Sequence, residues 1–156
     1  MKTMSRLATS KTKSDPKALD VFASLRFFGD RLEPRRISEI LNTVPALAYR
    51  KGEVFKKSRG TEIRGRTGLW LASSEGRVSS MDMNEHFDYL LTLVFPGNSE
   101  EELAKLHALM REEGIKADVT CFWYGEHGAR RPLIRDDIRD RFARIPAPIE
   151  CDFDTD

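Results

Sequence analysis

Val21-Phe22-Ala23-Ser24-Leu25-Arg26-Phe27-Phe28 is the stretch from which the rest of the chain is read. Val21, Ala23, Leu25 and Phe27 alternate with Phe22, Ser24, Arg26 and Phe28, and a period of two is the period of a strand. The first set is wholly apolar. The second mixes two phenylalanines with Ser24 and Arg26, so this face is expected to be partly covered as well. Gly29-Asp30 breaks the strand. Pro34 then sits where the first turn of a helix tolerates proline. Ile37, Ile40, Leu41 and Val44 follow at helical spacing until Pro45 stops the run.

Outward from this strand-helix unit the punctuation continues. Arg50 to Lys57 reads as a strand around Val54 and Phe55, and Gly60 and Gly65 bracket a flexible, basic connection. Gly68-Leu69-Trp70-Leu71-Ala72 reads as a strand lying antiparallel to the first, followed by a turn region to Ser80. Met83, Phe87, Leu90, Leu91 and Val94 form a one-sided stripe, the mark of a helix packed on a sheet. Asp82 and Glu85 resemble its cap, Pro96-Gly97 its end. Ser99 with Glu102 is a capping box opening a further helix, with Leu103, Leu106, Leu109 and Met110 inward and Gly114 at its close. Ala117, Val119, Cys121 and Trp123 alternate with Asp118, Thr120, Phe122 and Tyr124 in another strand. Arg135 to Arg144 reads as a helix, and Ile149, Cys151 and Phe153 alternate with Glu150, Asp152 and Asp154 in a last strand with one acidic face. The expected order is β-α-β-β-α-α-β-α-β: an α+β fold with a mixed or antiparallel sheet of about five strands and helices packed on one face. The strand-helix-strand pattern of the first third returns in the last third, in pattern and not in residues.

The 156 residues suit one domain, here 18–156, preceded by a disordered extension at 1–17 rich in Lys, Ser and Thr. A chain of this length buries enough surface to fold without metal or cross-link. The 26 basic and 25 acidic residues nearly cancel, so the total demands no strongly charged partner. Their distribution is uneven: Arg50–Arg66 holds seven bases against two acids, and Glu150–Asp156 holds four acids and no base. Opposite patches on one small domain suit a charged protein partner or self-association, for which a homodimer is the natural closed product. The two cysteines make no disulfide framework and no zinc spacing, and no apolar run reaches membrane-spanning length. A reduced, cytoplasmic setting is therefore expected.

Several motifs together resemble the bacterial family known as domain of unknown function 4279. They are Ala23-Ser24-Leu25-Arg26-Phe27-Phe28-Gly29-Asp30, then Leu32, Pro34, Ile37 and Leu41, then Arg50-Lys51-Gly52-Glu53, then Gly68-Leu69-Trp70. The similarity would cover about Ala18 to Asp154. Glu33 before the proline departs from the expected cap. The resemblance implies a compact α+β domain and supplies no catalytic residues.

Candidate sites follow from residue type. His127, flanked by Gly125 and Gly128 with Glu126 beside it and Arg130 and Arg131 after it, has the setting of an anion-binding or acid-base loop, with Tyr124 at its edge. An exposed turn histidine is the plainer reading. Glu150, Asp152 and Asp154 would receive a basic partner, or protect an exposed edge strand by charge. Arg50, Lys51, Lys56 and Lys57 would contact an acidic partner; the same segment, with Phe55, would contact nucleic acid, a reading that the near-neutral total disfavours. Cys121 and Cys151 read as small buried hydrophobes, not nucleophiles, sharing one core layer if their two strands are neighbours. No catalytic residue, metal site, cofactor or membrane contact is expected. The reading is a protein-binding or regulatory module of the kind seen in inhibitory and immunity-type proteins, with the 124–131 loop as the small-molecule or enzymatic alternative.

Overall fold

The computed structural model describes residues 15–56, 60–94 and 100–155. Alternation sets the first strand as expected: β1 runs Ala18–Gly29, with Val21, Ala23, Leu25 and Phe27 buried. Helix α1 (Pro34–Leu41) begins on its proline; Glu33 at the N-cap makes no capping bond and instead pairs with Arg50 at 3.5 Å. There follow β2 (Leu47–Tyr49), β3 (Val54–Lys56), β4 (Glu62–Arg64), β5 (Gly68–Ser73), α2 (Met83–Val94), α3 (Glu100–Glu113), β6 (Lys116–Gly125), α4 (Asp136–Ala143) and β7 (Ile149–Thr155).

The main sheet has five strands in the order β2-β5-β1-β6-β7. β5 and β6 run antiparallel to the central β1, β2 antiparallel to β5, and β7 parallel to β6, so the sheet is mixed. Two corrections concern the basic segment. The second sheet-forming run after α1 is Leu47–Tyr49, not the stretch around Val54; β3 leaves the main sheet to pair with β4 as a separate hairpin. The connection expected between Gly60 and Gly65 is itself strand β4. Three-residue strands carry too short an alternation to register as a period. Asn84 N–H donates to Asp82 Oδ1 at 2.9 Å, so Asp82 caps α2 as expected. Lys57, Pro96-Gly97, Ser99 and residues 1–14, for which the sequence carries expectations, lie outside the described residues.

All four described helices send apolar side chains into one core with the inward face of the sheet: Ile37 and Leu41, Phe87 and Leu90, Leu106 and Leu109, Ile138 and Phe142 meet Leu25, Phe27, Trp70, Val119 and Trp123. Phe27 and Trp70 meet edge to face at 5.6 Å, and Phe87 and Phe142 do so at 6.2 Å. Each such side chain contributes about 1.5–3 kcal/mol by leaving water. The Trp70 indole N–H donates to Ser38 Oγ at 2.9 Å, satisfying its polar atom inside the core. Gly68 has a packing reason: a Cβ there would lie 2.8 Å from Gly29 O and from Leu32 Cβ, where β5 passes the end of β1.

The cysteines overturn an expectation. They face each other at one register position of β6 and β7 and are joined as a disulfide, with Cα atoms 4.7 Å apart. The sequence showed both in strands but not that the strands were neighbours. The premise of free thiols for a reducing, cytoplasmic setting therefore does not hold. No helix among the described residues is long and apolar enough to cross a membrane.

Candidate functional site

Since the helices all pack on the face of Leu25 and Trp70, strand alternation leaves the opposite face of the sheet without a described helix. Its side chains can be followed through the register. Leu47 stands opposite Leu71, and Tyr49 opposite Leu69, which in turn stands opposite Phe28. Phe22 stands opposite Phe122 and the two rings stack at 5.2 Å. Leu47 is 40% exposed, while Phe22, Phe28, Leu69, Leu71, Phe122 and Tyr124 are half-buried. Two apolar clusters result, one on β2, β5 and β1, the other on β1 and β6. A row of small polar residues, Ser73, Ser24 and Thr120, separates them.

Near the centre, Arg26 grips Asp118 with both arms of its guanidinium, Nε to Oδ1 at 2.8 Å and Nη2 to Oδ2 at 2.6 Å. Asp118 is only 6% exposed, so its charge would be costly without this partner. The Asp118 bond, opposed by partial burial, holds the Arg26 pKa above its already high ordinary value, and the charges of Glu150 and Tyr49 add to this; the register places both on the same face, Glu150 beside Thr120 and Tyr49 beside Leu69. Arg26 also lies over the Phe28 ring, 5.6 Å from its centre.

One border of the face is acidic. Among the described residues β7 is an edge strand, bonded to β6 alone. Glu150 is exposed, Asp152 and Asp154 occupy the register rows of Phe122 and Tyr124, and Asp20, also exposed, pairs with Tyr124 from β1. The other border carries the β3–β4 hairpin. Phe55 stacks on Tyr49 at 4.4 Å, and Gly65 makes room for that ring, since a Cβ there would sit 2.5 Å from Tyr49 Cδ1. Three bases of this border are engaged: Arg50 with Glu33 and Glu53, Lys51 with Asp30 at 3.0 Å, and Arg64 with the Gly52 carbonyl. Lys56 is exposed at the end of β3. Of the seven bases that the sequence places in this run, Arg50 and Lys51 are ion-paired, Arg64 is bonded to a carbonyl, Lys56 and Arg66 are exposed, and Lys57 and Arg59 lie outside the described residues.

The 124–131 loop is held through Glu126 and by one turn of its own backbone. Glu126 accepts from Lys17 N–H through Oε1 at 2.9 Å and donates its N–H to Lys17 O, tying the start of the described chain to the end of β6. Ala129 N–H closes the turn on Glu126 O, with Gly128 at φ 81°. His127, Arg130 and Arg131 are exposed, and Tyr124 belongs to the open sheet face.

Sequence reasoning passed over Ser74. It is fully buried, its Oγ accepting from Ala23 N–H at 2.8 Å and lying 2.7 Å from Nδ1 of His86, which is 1% exposed. His86 Nε2 donates to Ser80 O at 2.6 Å, and the Ser74 hydroxyl lies between His86 Nδ1 at 2.7 Å and Ala23 O at 3.3 Å. A serine beside a histidine suggests a nucleophile and its base. Here both are sealed in the core and every hydrogen-bonding position is used, so the pair is a structural clasp between β1, the end of β5 and α2. A cleft of about 470 Å³ opens elsewhere, between the ends of α3 and α4, lined by Met110, Ile115 and Ile145 with His107 and Arg111. Its His107 ring is bonded to the Arg144 carbonyl. Among the described residues no group of His, Cys, Asp and Glu is arranged to hold a metal ion.

One family model, described as domain of unknown function (DUF4279), matches residues 19–156. No curated protein and no solved structure matches the chain.

Proposed function

Given that the chain belongs to the DUF4279 family of unknown function, we propose that it is a non-catalytic docking module that receives a basic, extended segment of a protein partner along β7 and across the adjoining aromatic half of the open sheet face. The observation that carries this reading is the open face itself, where Phe22, Phe122 and Tyr124 lie beside an acidic edge strand. An edge strand offers unpaired backbone N–H and C=O groups to a second extended chain. The exposed Glu150 and Asp20 attract its cations. The aromatic rings give arginine or lysine a face to lie on. On the opposite border Arg50 and Lys51 are already paired with Glu33 and Asp30, and with the near-neutral total charge this favours a protein partner over nucleic acid.

The test uses a short fluorescent peptide alternating Arg and Val, with its Glu–Val counterpart as control. The basic peptide is expected to bind the wild-type protein in a salt-sensitive manner and the acidic one not to bind. E150K and F122A should each weaken binding by roughly tenfold, equivalent to about 1.4 kcal/mol, while K105E on the exposed side of α3 should leave it unchanged. Equal binding of the two peptides, or indifference to E150K and F122A, overturns the reading. So does a stable dimer in sedimentation that F122A dissolves, because the face would then belong to a second copy.

A further inference from the structure

The chain has two cysteines, and the fold brings them to one point. Cys121 and Cys151 are register partners in the middle of the β6–β7 ladder, and their Cα separation of 4.7 Å lies within the range that a disulfide spans without moving backbone. Among the described residues β7 is the last strand of the sheet and hydrogen-bonds to β6 alone. Apart from that ladder, its attachment among the described residues is a thin apolar seam, Ile149, Cys151 and Phe153, the last meeting Trp123 edge to face at 6.1 Å. β6, by contrast, is fixed on its other side by the long pairing with β1. A bond at this position therefore governs one strand and spares the rest of the sheet.

We infer that Cys121–Cys151 is a reversible redox staple that sets whether β7 stays docked on β6. Cys121 is 4% exposed and Cys151 is half-buried, so the exchange begins at Cys151. Its thiolate attacks one sulfur of a low-molecular-weight disulfide such as glutathione disulfide, releasing one thiol and leaving a mixed disulfide. The Cys121 thiolate then displaces the second thiol. Two S–H bonds and one S–S bond are exchanged for one S–S bond and two S–H bonds, and the two electrons pass from the protein to the small disulfide. In the reduced state β7 keeps its backbone bonds but loses its cross-link, and it opens locally while the core holds. The inference does not depend on the docking reading, although it would act on the same edge.

The test is hydrogen exchange on the full chain, held in reduced or in oxidised glutathione, with thiols counted by alkylation and mass. Two alkylated cysteines are expected in the reduced buffer and none in the oxidised one, with dithiothreitol restoring both. Amides of β7 should exchange roughly tenfold or more faster when reduced, with β1 and β5 unchanged. The C121S/C151S variant should match the reduced protein in both buffers. Stable glutathione adducts in place of the internal bond, or β7 amides that exchange alike in both states, overturn the inference. Because the main comparison uses wild-type protein, it stands even where the variant does not fold. No peptide enters the assay, so a negative result here leaves the docking test intact, and the reverse holds too.

Discussion

Ser74 and His86 show how a residue earns its place through what surrounds it. Buried groups must find partners, and this clasp satisfies Ala23 N–H, the serine hydroxyl and both ring nitrogens at once. H86A removes the ring and strands the serine and the Ser80 carbonyl, with a cavity beside Phe87. A loss of about 2–4 kcal/mol is expected, read from the midpoint shift in urea at constant slope. Gly68 is held by space, not conformation. G68A would press a methyl group onto the Gly29 carbonyl and Leu32, and a cost of roughly 1–3 kcal/mol is expected by the same measurement. The histidine was placed on its helix by sequence, but its serine partner lies twelve residues away across a turn, a proximity no local period reports.

Among the elements, α4 is the one whose start is built by others. Arg135, its N-cap residue, makes no side-chain capping bond. Its N–H donates to Asn84 Oδ1 at 3.1 Å, and its guanidinium bridges Asp88 at 2.9 Å and Asp137 at 2.9 Å, so α2 and α4 are locked at one corner. The Arg135 bond holds the Asp137 carboxyl below its ordinary 3.8. A carboxyl with a lowered folded pKa stabilises the fold above its unfolded value, and that contribution fades as pH falls through the folded one. NMR titration of Asp137 should therefore show a midpoint below 3.8, and R135A should return it towards that value; no movement in R135A would place the cause elsewhere. At this scale the sequence was legible wherever an element was long. β1, α2 and β6 were read with their inward faces correct, whereas β2 and β4 were missed and β3 was assigned to the wrong sheet.

For the whole molecule, the two strand-helix-strand units close differently. β6 and β7 are parallel neighbours, while β1 and β2, also parallel, are separated by β5. That insertion makes β1 the centre and leaves β7 at an edge. The core depends on all four described helices meeting one face, so F142A, which opens a cavity beneath Phe87, should cost about 3–5 kcal/mol in a single cooperative transition. Separate transitions for the two halves would argue against one core. The sequence by itself determined the fold class, the family and which side of each long strand faces inward, because alternation and helical spacing are carried by neighbours in the chain. Only the tertiary structure decided that Cys121 meets Cys151, that Arg50 and Lys51 are neutralised by Glu33 and Asp30, and that Phe22 and Phe122 form one patch, uncovered by any described helix, beside an acidic edge. Those outcomes depend on strand order, and strand order is settled by packing between segments far apart in sequence, where no local period reaches.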